Sequence, residues 1–145
     1  METSLKQIKE RYYKKIALYI SNKPQSFCYD SISKIITYCL SISKTPTKDC
    51  MSALKLIDQY EKESITKKEY KKNINRLIKE SKKTSGVTHD FYWSIVYALT
   101  SHNKKTNFIY SVLFILKIIV CNLELEEVDK IVENILNGEY SQNKN

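Results

Sequence analysis

The sequence contains very little glycine and proline, with only two of each among its 145 residues. Sheet proteins of this size need many turn residues, so the scarcity favours long helices joined by short connections. It also excludes a glycine-rich loop that could hold phosphate groups. The four residues are Pro24, Pro46, Gly86 and Gly138, and each falls at a predicted break between helices or at a helix end.

Histidine is equally scarce, and its placement argues against a metal site. His89 and His102 are the only two, and they lie near opposite ends of one predicted helix. Because a helix rises about 1.5 Å per residue, a continuous helix holds them ~20 Å apart. Neither has a second histidine or a cysteine at helical spacing, so we expect no zinc and no cofactor.

The cysteines show no pattern of metal binding or catalysis. None of the four forms a C-x-x-C pair, and nothing near Cys50 or Cys121 suggests activation by His89. With no signal-peptide pattern at the N-terminus, we expect a cytoplasmic protein with reduced thiols. All four are predicted to be small buried side chains: Cys28, Cys39, Cys50 and Cys121.

Two carboxylate pairs were considered as acid–base groups, namely Glu126 with Asp129 and Glu61 with Glu63. Both pairs lie beside lysines or in the first turn of a predicted helix, where positive surroundings lower a carboxyl pKa. A general acid at neutral pH needs a raised pKa instead. We therefore predict no catalytic residue and a protein that is not an enzyme.

The longest apolar segment is FIYSVLFILKIIVCNL, residues 108–123, in which Lys117 is the only charge. A membrane span needs ~20 apolar residues, and this shorter segment is followed at once by ELEEVD. The segment therefore predicts a buried central helix, about 107–121, that other helices surround.

Apolar residues recur at spacings of three and four through most of the remaining chain. They predict an all-α, single-domain bundle of about six to seven helices over residues 1–140, with a frayed tail at 141–145. Ser4 or Thr3 can cap the first helix, and Thr66 with Glu69 matches a capping box. The other predicted helices lie near 26–43, 48–62, 67–82, 85–100 and 124–137.

Basic residues exceed acidic ones by eight, and 22 of the 24 are lysine. The excess indicates either an acidic partner or a lysine-rich surface that keeps the protein in solution. One helix face, the basic ridge, could follow a phosphate backbone: Lys68, Lys72, Arg76, Lys79 and Lys83. A second cationic set lies on the first helix: Lys6, Lys9, Arg11, Lys14 and Lys15. The shortage of arginine, and of a helix-turn-helix or zinc motif, favours a solvated face instead.

Tyrosine is the other excess, with eleven residues. Neighbours on a helix point about 100° apart, so if Phe91 faces the core, Tyr92 or Trp93 lies near the surface. Tyrosine and tryptophan are frequent anchors in protein interfaces. We therefore predict a partner-binding patch of Tyr92, Trp93 and Tyr97, with burial of both helix faces as the alternative.

The segment SALKLIDQYEKESITKKEYKK, followed by a Trp/Tyr-containing helix and an apolar helix, resembles small helical immunity-type proteins of bacteria and phages. Small helical viral inhibitors of host signalling are similar in the same way. The resemblance lies in the order of helices over roughly half the chain and implies a partner-binding inhibitor. The sequence thus predicts a non-enzymatic protein-binding module, with nucleic-acid binding by helix 67–83 as the alternative.

Overall fold

The computed structural model describes residues 3–43 and 48–140. The predicted break at Pro46 and the predicted tail at 141–145 lie outside the described residues. The described part folds into helices alone, in agreement with the predicted all-α bundle. They are α1 (Leu5–Ile20), α2 (Gln25–Ser43), α3 (Lys48–Glu61), α4 (Lys67–Ser81), α5 (Gly86–Leu99), α6 (Lys105–Ile119) and α7 (Leu125–Leu136).

The predicted capping residues cap the N-termini of α1 and α4. The Ser4 hydroxyl accepts the backbone N–H of Gln7 at 3.2 Å, and the Gln7 side chain accepts the Ser4 N–H at 2.8 Å. Thr66 and Glu69 make the same reciprocal pair at 3.1 and 3.2 Å. Each box satisfies amides that the first turn leaves without a helical partner.

Helix α7 ends where Gly138 adopts a φ of +75°, as its predicted role as a terminator requires. Its N–H donates to the carbonyl of Ile135 at 3.0 Å, and the N–H of Glu139 donates to Asn134 at 2.7 Å. These two bonds form a Schellman motif, which satisfies the last carbonyls of the helix.

Helix α6 is the centre of the bundle, as the apolar run predicts. It packs against α5, α2 and α1, while α4 packs on α5, α3 on α5 and α2, and α7 on α1. Most of its residues are buried: Phe108, Ile109, Ser111, Val112, Leu113, Ile115, Leu116, Ile118 and Ile119. Burial of this one helix therefore organises most of the packing.

Lys117, the only charge in the apolar run, forms an ion pair with Asp90 in α5. The side chains are 22% and 10% exposed, respectively. A charge in such a setting is tolerated only with a close partner of opposite sign. Asp90 therefore allows a lysine to occupy the central helix.

A second polar contact ties α1 to α7. Arg11 donates two hydrogen bonds to Asp129, at 3.0 and 2.7 Å, and the Tyr12 hydroxyl donates a third at 2.6 Å. These donors lower the pKa of Asp129 to about 2, because they stabilise its ionised form. Asp129 therefore acts as a structural link, in line with the predicted lowering of its pKa.

None of the described helices is both long enough and apolar enough to span a membrane.

Candidate functional site

Five partly exposed aromatic rings from three helices form one continuous surface, here called the aromatic surface: Tyr13 of α1, Trp93 and Tyr97 of α5, and Tyr110 and Phe114 of α6. The Tyr97 ring is central, with centroids 5.8 Å from Trp93, 5.5 Å from Tyr110 and 5.9 Å from Phe114. Tyr13 extends the surface by an edge contact of 6.0 Å with Tyr110. These separations are those of interacting aromatic pairs, so the rings hold one another in place.

Two small residues bring α5 and α6 close enough to assemble this surface. The Ser94 hydroxyl donates to the Ser111 carbonyl at 2.9 Å, and the Ser111 hydroxyl donates to the Ser94 carbonyl at 2.7 Å. Both serines are fully buried. Because each hydroxyl reaches the backbone of the other helix, the reciprocal pair aligns the aromatic positions three residues further along each chain.

Lys9 supplies a positive charge at the edge of the aromatic surface. Its ammonium donates to the Tyr110 hydroxyl at 2.7 Å and lies 5.5 Å from the Tyr13 ring centroid and 5.2 Å from that of Tyr110. The hydrogen bond to Tyr110 raises the pKa of Lys9, so the charge is present at neutral pH. The site therefore combines aromatic area with a positioned cation.

The structure separates the three residues of the predicted patch. Trp93 and Tyr97 are partly exposed and belong to the aromatic surface, whereas Tyr92 is only 8% exposed and joins the core. Tyr92 therefore offers a partner little area, because its side chain belongs to the hydrophobic core.

Tyr13, Tyr110 and Phe114 reach the surface without having been predicted to do so. The apolar run was interpreted as buried all round, but Tyr110, Phe114 and Lys117 are only partly buried. Their spacing of four and three places them on one helix face. The position of Lys117 in the sequence therefore indicates which face of α6 reaches solvent.

The basic ridge lies on α4 and its C-terminal end, and all five of its residues are exposed. Among the described residues, its only ion pair is Lys83 with Glu80, at 3.5 Å. The cationic set of α1 lies elsewhere, because α1 packs mainly on α6 and α7 whereas α4 packs on α5. The two sets therefore do not form neighbouring ridges.

The two histidines do not lie on one continuous helix, because α5 ends at Leu99, before His102. His89 Nδ1 is 2.9 Å from the carbonyl of Ser81. His102, in the turn between α5 and α6, contacts the rings of Tyr29 and Tyr70. Among the side chains that the structure describes, which exclude Asp49 and Cys50, no three histidine, cysteine, aspartate or glutamate residues come together in a group that could hold a metal ion.

The cysteines agree with the predicted burial at two positions and not at a third. Cys28 and Cys39 are buried, and burial raises the pKa of both thiols, that of Cys39 to about 12. Cys121 is exposed, because it follows the end of α6 in the turn to α7. The prediction of a buried side chain is therefore wrong for Cys121, and Cys50 lies outside the described side chains.

One carboxyl group departs from the predicted lowering of pKa. The neighbouring Asp30 carboxyl raises the pKa of Glu61 to about 7, chiefly through a hydrogen bond that favours the protonated form. The expectation was wrong for Glu61, because it considered Glu63 and missed a residue of another helix. Both carboxyls are exposed.

Comparison with models of known protein families, with curated proteins and with solved structures yields no match to this chain.

Proposed function

We propose that the protein binds another protein, of acidic surface, through the aromatic surface of α1, α5 and α6. The observation that supports this proposal is the continuous contact of five partly exposed rings around Tyr97. Large rings with few rotatable bonds provide contact area at low entropic cost, which explains their enrichment at interface hot spots. We infer that the protein acts in the cytoplasm by binding its partner and catalyses no reaction. An inhibitor or an immunity-type module acts in the same way.

The positive net charge of the chain favours a partner with an acidic surface. Lys9 is held at the edge of the aromatic surface by Tyr110, and the whole protein carries a formal net charge of +8. A second copy of the same chain would meet this charge with equal charge, whereas an acidic protein surface would be steered towards it. We therefore infer an acidic protein partner and not a homodimer.

Removal of the two tryptophan and tyrosine rings of α5 tests the proposal. We expect the double change Trp93→Ala, Tyr97→Ala to weaken partner binding by about 100-fold or more, because two hot-spot truncations cost roughly 2 kcal/mol each. The partner is first isolated with the wild-type chain, and its dissociation constants are then measured by titration calorimetry.

The chain offers a matched control in a second aromatic pair beside a lysine. The rings of Tyr19 and Phe27 lie 6.1 Å apart, with Lys23 over both. Tyr19→Ala, Phe27→Ala should leave the affinity within about threefold of wild type. Equal loss by both double variants, or none by Trp93→Ala, Tyr97→Ala, would contradict the proposal, as would a pure homodimer in sedimentation.

A second candidate function is nucleic-acid binding by the basic ridge, and one observation favours it. Four of its five cations, Lys68, Lys72, Arg76 and Lys79, have no ion pair among the described residues. They are thus available to phosphate groups along one face of α4.

A salt titration with a DNA duplex and a single-stranded RNA tests this candidate. We expect affinity to fall by roughly 0.9 log units per phosphate contact on a logarithmic salt axis for the duplex. Lys68→Gln, Lys72→Gln, Arg76→Gln should flatten that slope, while the equal charge change Lys6→Gln, Lys14→Gln, Lys15→Gln should not. Absence of binding at low salt would eliminate the candidate.

A further inference from the structure

A cavity of about 370 Å³ opens between the end of α3, the first half of α4 and the turn between α5 and α6. Its volume lies within the range of small-molecule sites in proteins. The cavity shares no residue with the aromatic surface. Helices α3 and α4, which supply most of its lining, do not contribute to that surface. The lining of the cavity combines amide side chains with Tyr60, Tyr70, Lys67, Lys71 and His102.

The aromatic wall of the cavity is fixed by hydrogen bonds. Tyr70 donates its hydroxyl proton to the carbonyl of Leu99, so the Tyr29 hydroxyl, 2.7 Å away, donates to Tyr70. Tyr60 stacks on Tyr70 with centroids 4.2 Å apart and planes inclined by 18°. The wall is therefore preorganised, which reduces the entropic cost of binding a flat ring.

These groups are suited to binding and not to proton transfer. Burial raises the pKa of Tyr29 to about 12 and raises that of Tyr70 as well. Burial lowers the pKa of His102, which is therefore neutral at pH 7. A neutral imidazole and two neutral phenols offer hydrogen bonds but no charge.

His102 lies within a cage of tyrosines, with ring centroids 5.0 Å from Tyr29, 5.8 Å from Tyr60 and 5.9 Å from Tyr70. Its Nδ1 is buried and has no hydrogen-bond partner among the described residues. Buried polar atoms in proteins are nearly always paired. His102 thus brings a buried polar atom to the aromatic wall, and an interaction with the backbone of Leu99 partly opposes the lowering of its pKa by burial.

Charge at the cavity comes from Lys67 and Lys71, one helical turn apart on α4. Both are exposed, and neither forms an ion pair with a described carboxylate. The nearby carboxylate of Glu69 is held by Thr66 in the capping box, at 3.2 Å from both the backbone N–H and the hydroxyl. Two free ammonium groups beside one cavity favour a ligand with two negative charges.

We propose that this cavity binds a small phosphate monoester of a planar aromatic group, of the size of a nucleoside monophosphate. The flat ring packs against partly exposed Tyr60, whose ring stacks in turn on buried Tyr70. Aromatic stacking of this kind tolerates any base. The phosphate group lies between Lys67 and Lys71, and the amides of Asn75 and Asn103 face the polar ring edge.

The experiment titrates the full chain with adenosine 5′-monophosphate, phenyl phosphate, adenosine and inorganic phosphate, and follows binding by amide NMR shifts. We expect saturable binding of both aromatic phosphates, with inorganic phosphate and adenosine each at least about tenfold weaker. The shifted amides should include Tyr70, Thr100 and His102.

Variants matched in charge separate the site from general attraction by the positive net charge of the protein. Lys67→Gln, Lys71→Gln should weaken adenosine 5′-monophosphate binding about tenfold or more. Lys34→Gln, Lys130→Gln removes the same charge from exposed positions on α2 and α7, which do not line the cavity, and should change binding less than about twofold. Tyr60→Leu should remove the preference for the aromatic phosphate over inorganic phosphate. All variants are first shown by circular dichroism to be folded.

Three results would overturn the proposal. The first is no shift with any probe at millimolar concentration. The second is an equal loss in the two lysine double variants, which would indicate attraction by net charge alone. The third is equal affinity for inorganic phosphate and adenosine 5′-monophosphate, which would indicate an adventitious ion only.

Discussion

Truncation of Phe108 to alanine is expected to lower the free energy of unfolding by about 3–5 kcal/mol. Phe108 is 0% exposed and lies on α6, the helix against which α1, α2 and α5 pack. Loss of its ring removes apolar burial and leaves a cavity that neighbouring helices close only in part. Since domains of this size are stable by only ~5–15 kcal/mol, the variant should unfold at a much lower urea concentration.

Phe114 provides the matched control, because it is a phenylalanine of the same helix that is only partly buried. Phe114→Ala should cost about 1–2 kcal/mol, since its ring already has water on one side. Urea midpoints followed by circular dichroism give both values. Equal destabilisation by the two changes would mean that α6 is not the buried centre of the bundle.

Replacement of Asp90 by alanine is expected to cost about 2–4 kcal/mol, because it leaves the Lys117 ammonium without its partner in an apolar helix. Lys117 is 22% exposed, so partial hydration keeps the cost below that of a fully buried charge. The further change Lys117→Met should restore most of the loss, because the double variant Asp90→Ala, Lys117→Met carries no unpaired charge there. A double-mutant cycle in urea measures this coupling directly.

The exposed pair Asp58 and Lys62 is the control for this cycle, with a separation of 3.1 Å and exposures of 65% and 72%. Asp58→Ala should cost no more than about 0.5 kcal/mol, because water screens both charges. If Asp90→Ala cost as little, or if Lys117→Met gave no recovery, the account of how the central helix accommodates a charge would be wrong.

The helices could be predicted because their determinants are local. Ser4 with Gln7 and Thr66 with Glu69 act within one turn, and Gly138 terminates α7 through its own positive φ. The spacing of apolar residues likewise reports on a helix face without reference to any other element. Both ends of α6 nevertheless lie two residues before the predicted ones, because no side chain caps its first turn and helix ends are defined only to within one or two residues.

The failures share a different cause. Cys121 is exposed because α6 ends just before it, and the pKa of Glu61 rises because Asp30 of α2 lies beside it. Tyr92 enters the core because α5 is packed on several sides by α6, α4 and α3. In each case the outcome depends on where a helix ends or on a neighbour distant in the chain, and spacing along one helix reveals neither.

The sequence by itself determined that the chain is helical, that residues near 107–121 form its centre, and that its surface carries excess lysine. Periodicity, capping and composition are sufficient for these conclusions, since each acts within a few residues. Only the tertiary structure decided which rings meet in the aromatic surface and which side chains line the cavity beside His102. The Lys9–Tyr110 contact joins residues 101 positions apart, and such contacts arise only when helices pack and bring distant side chains together.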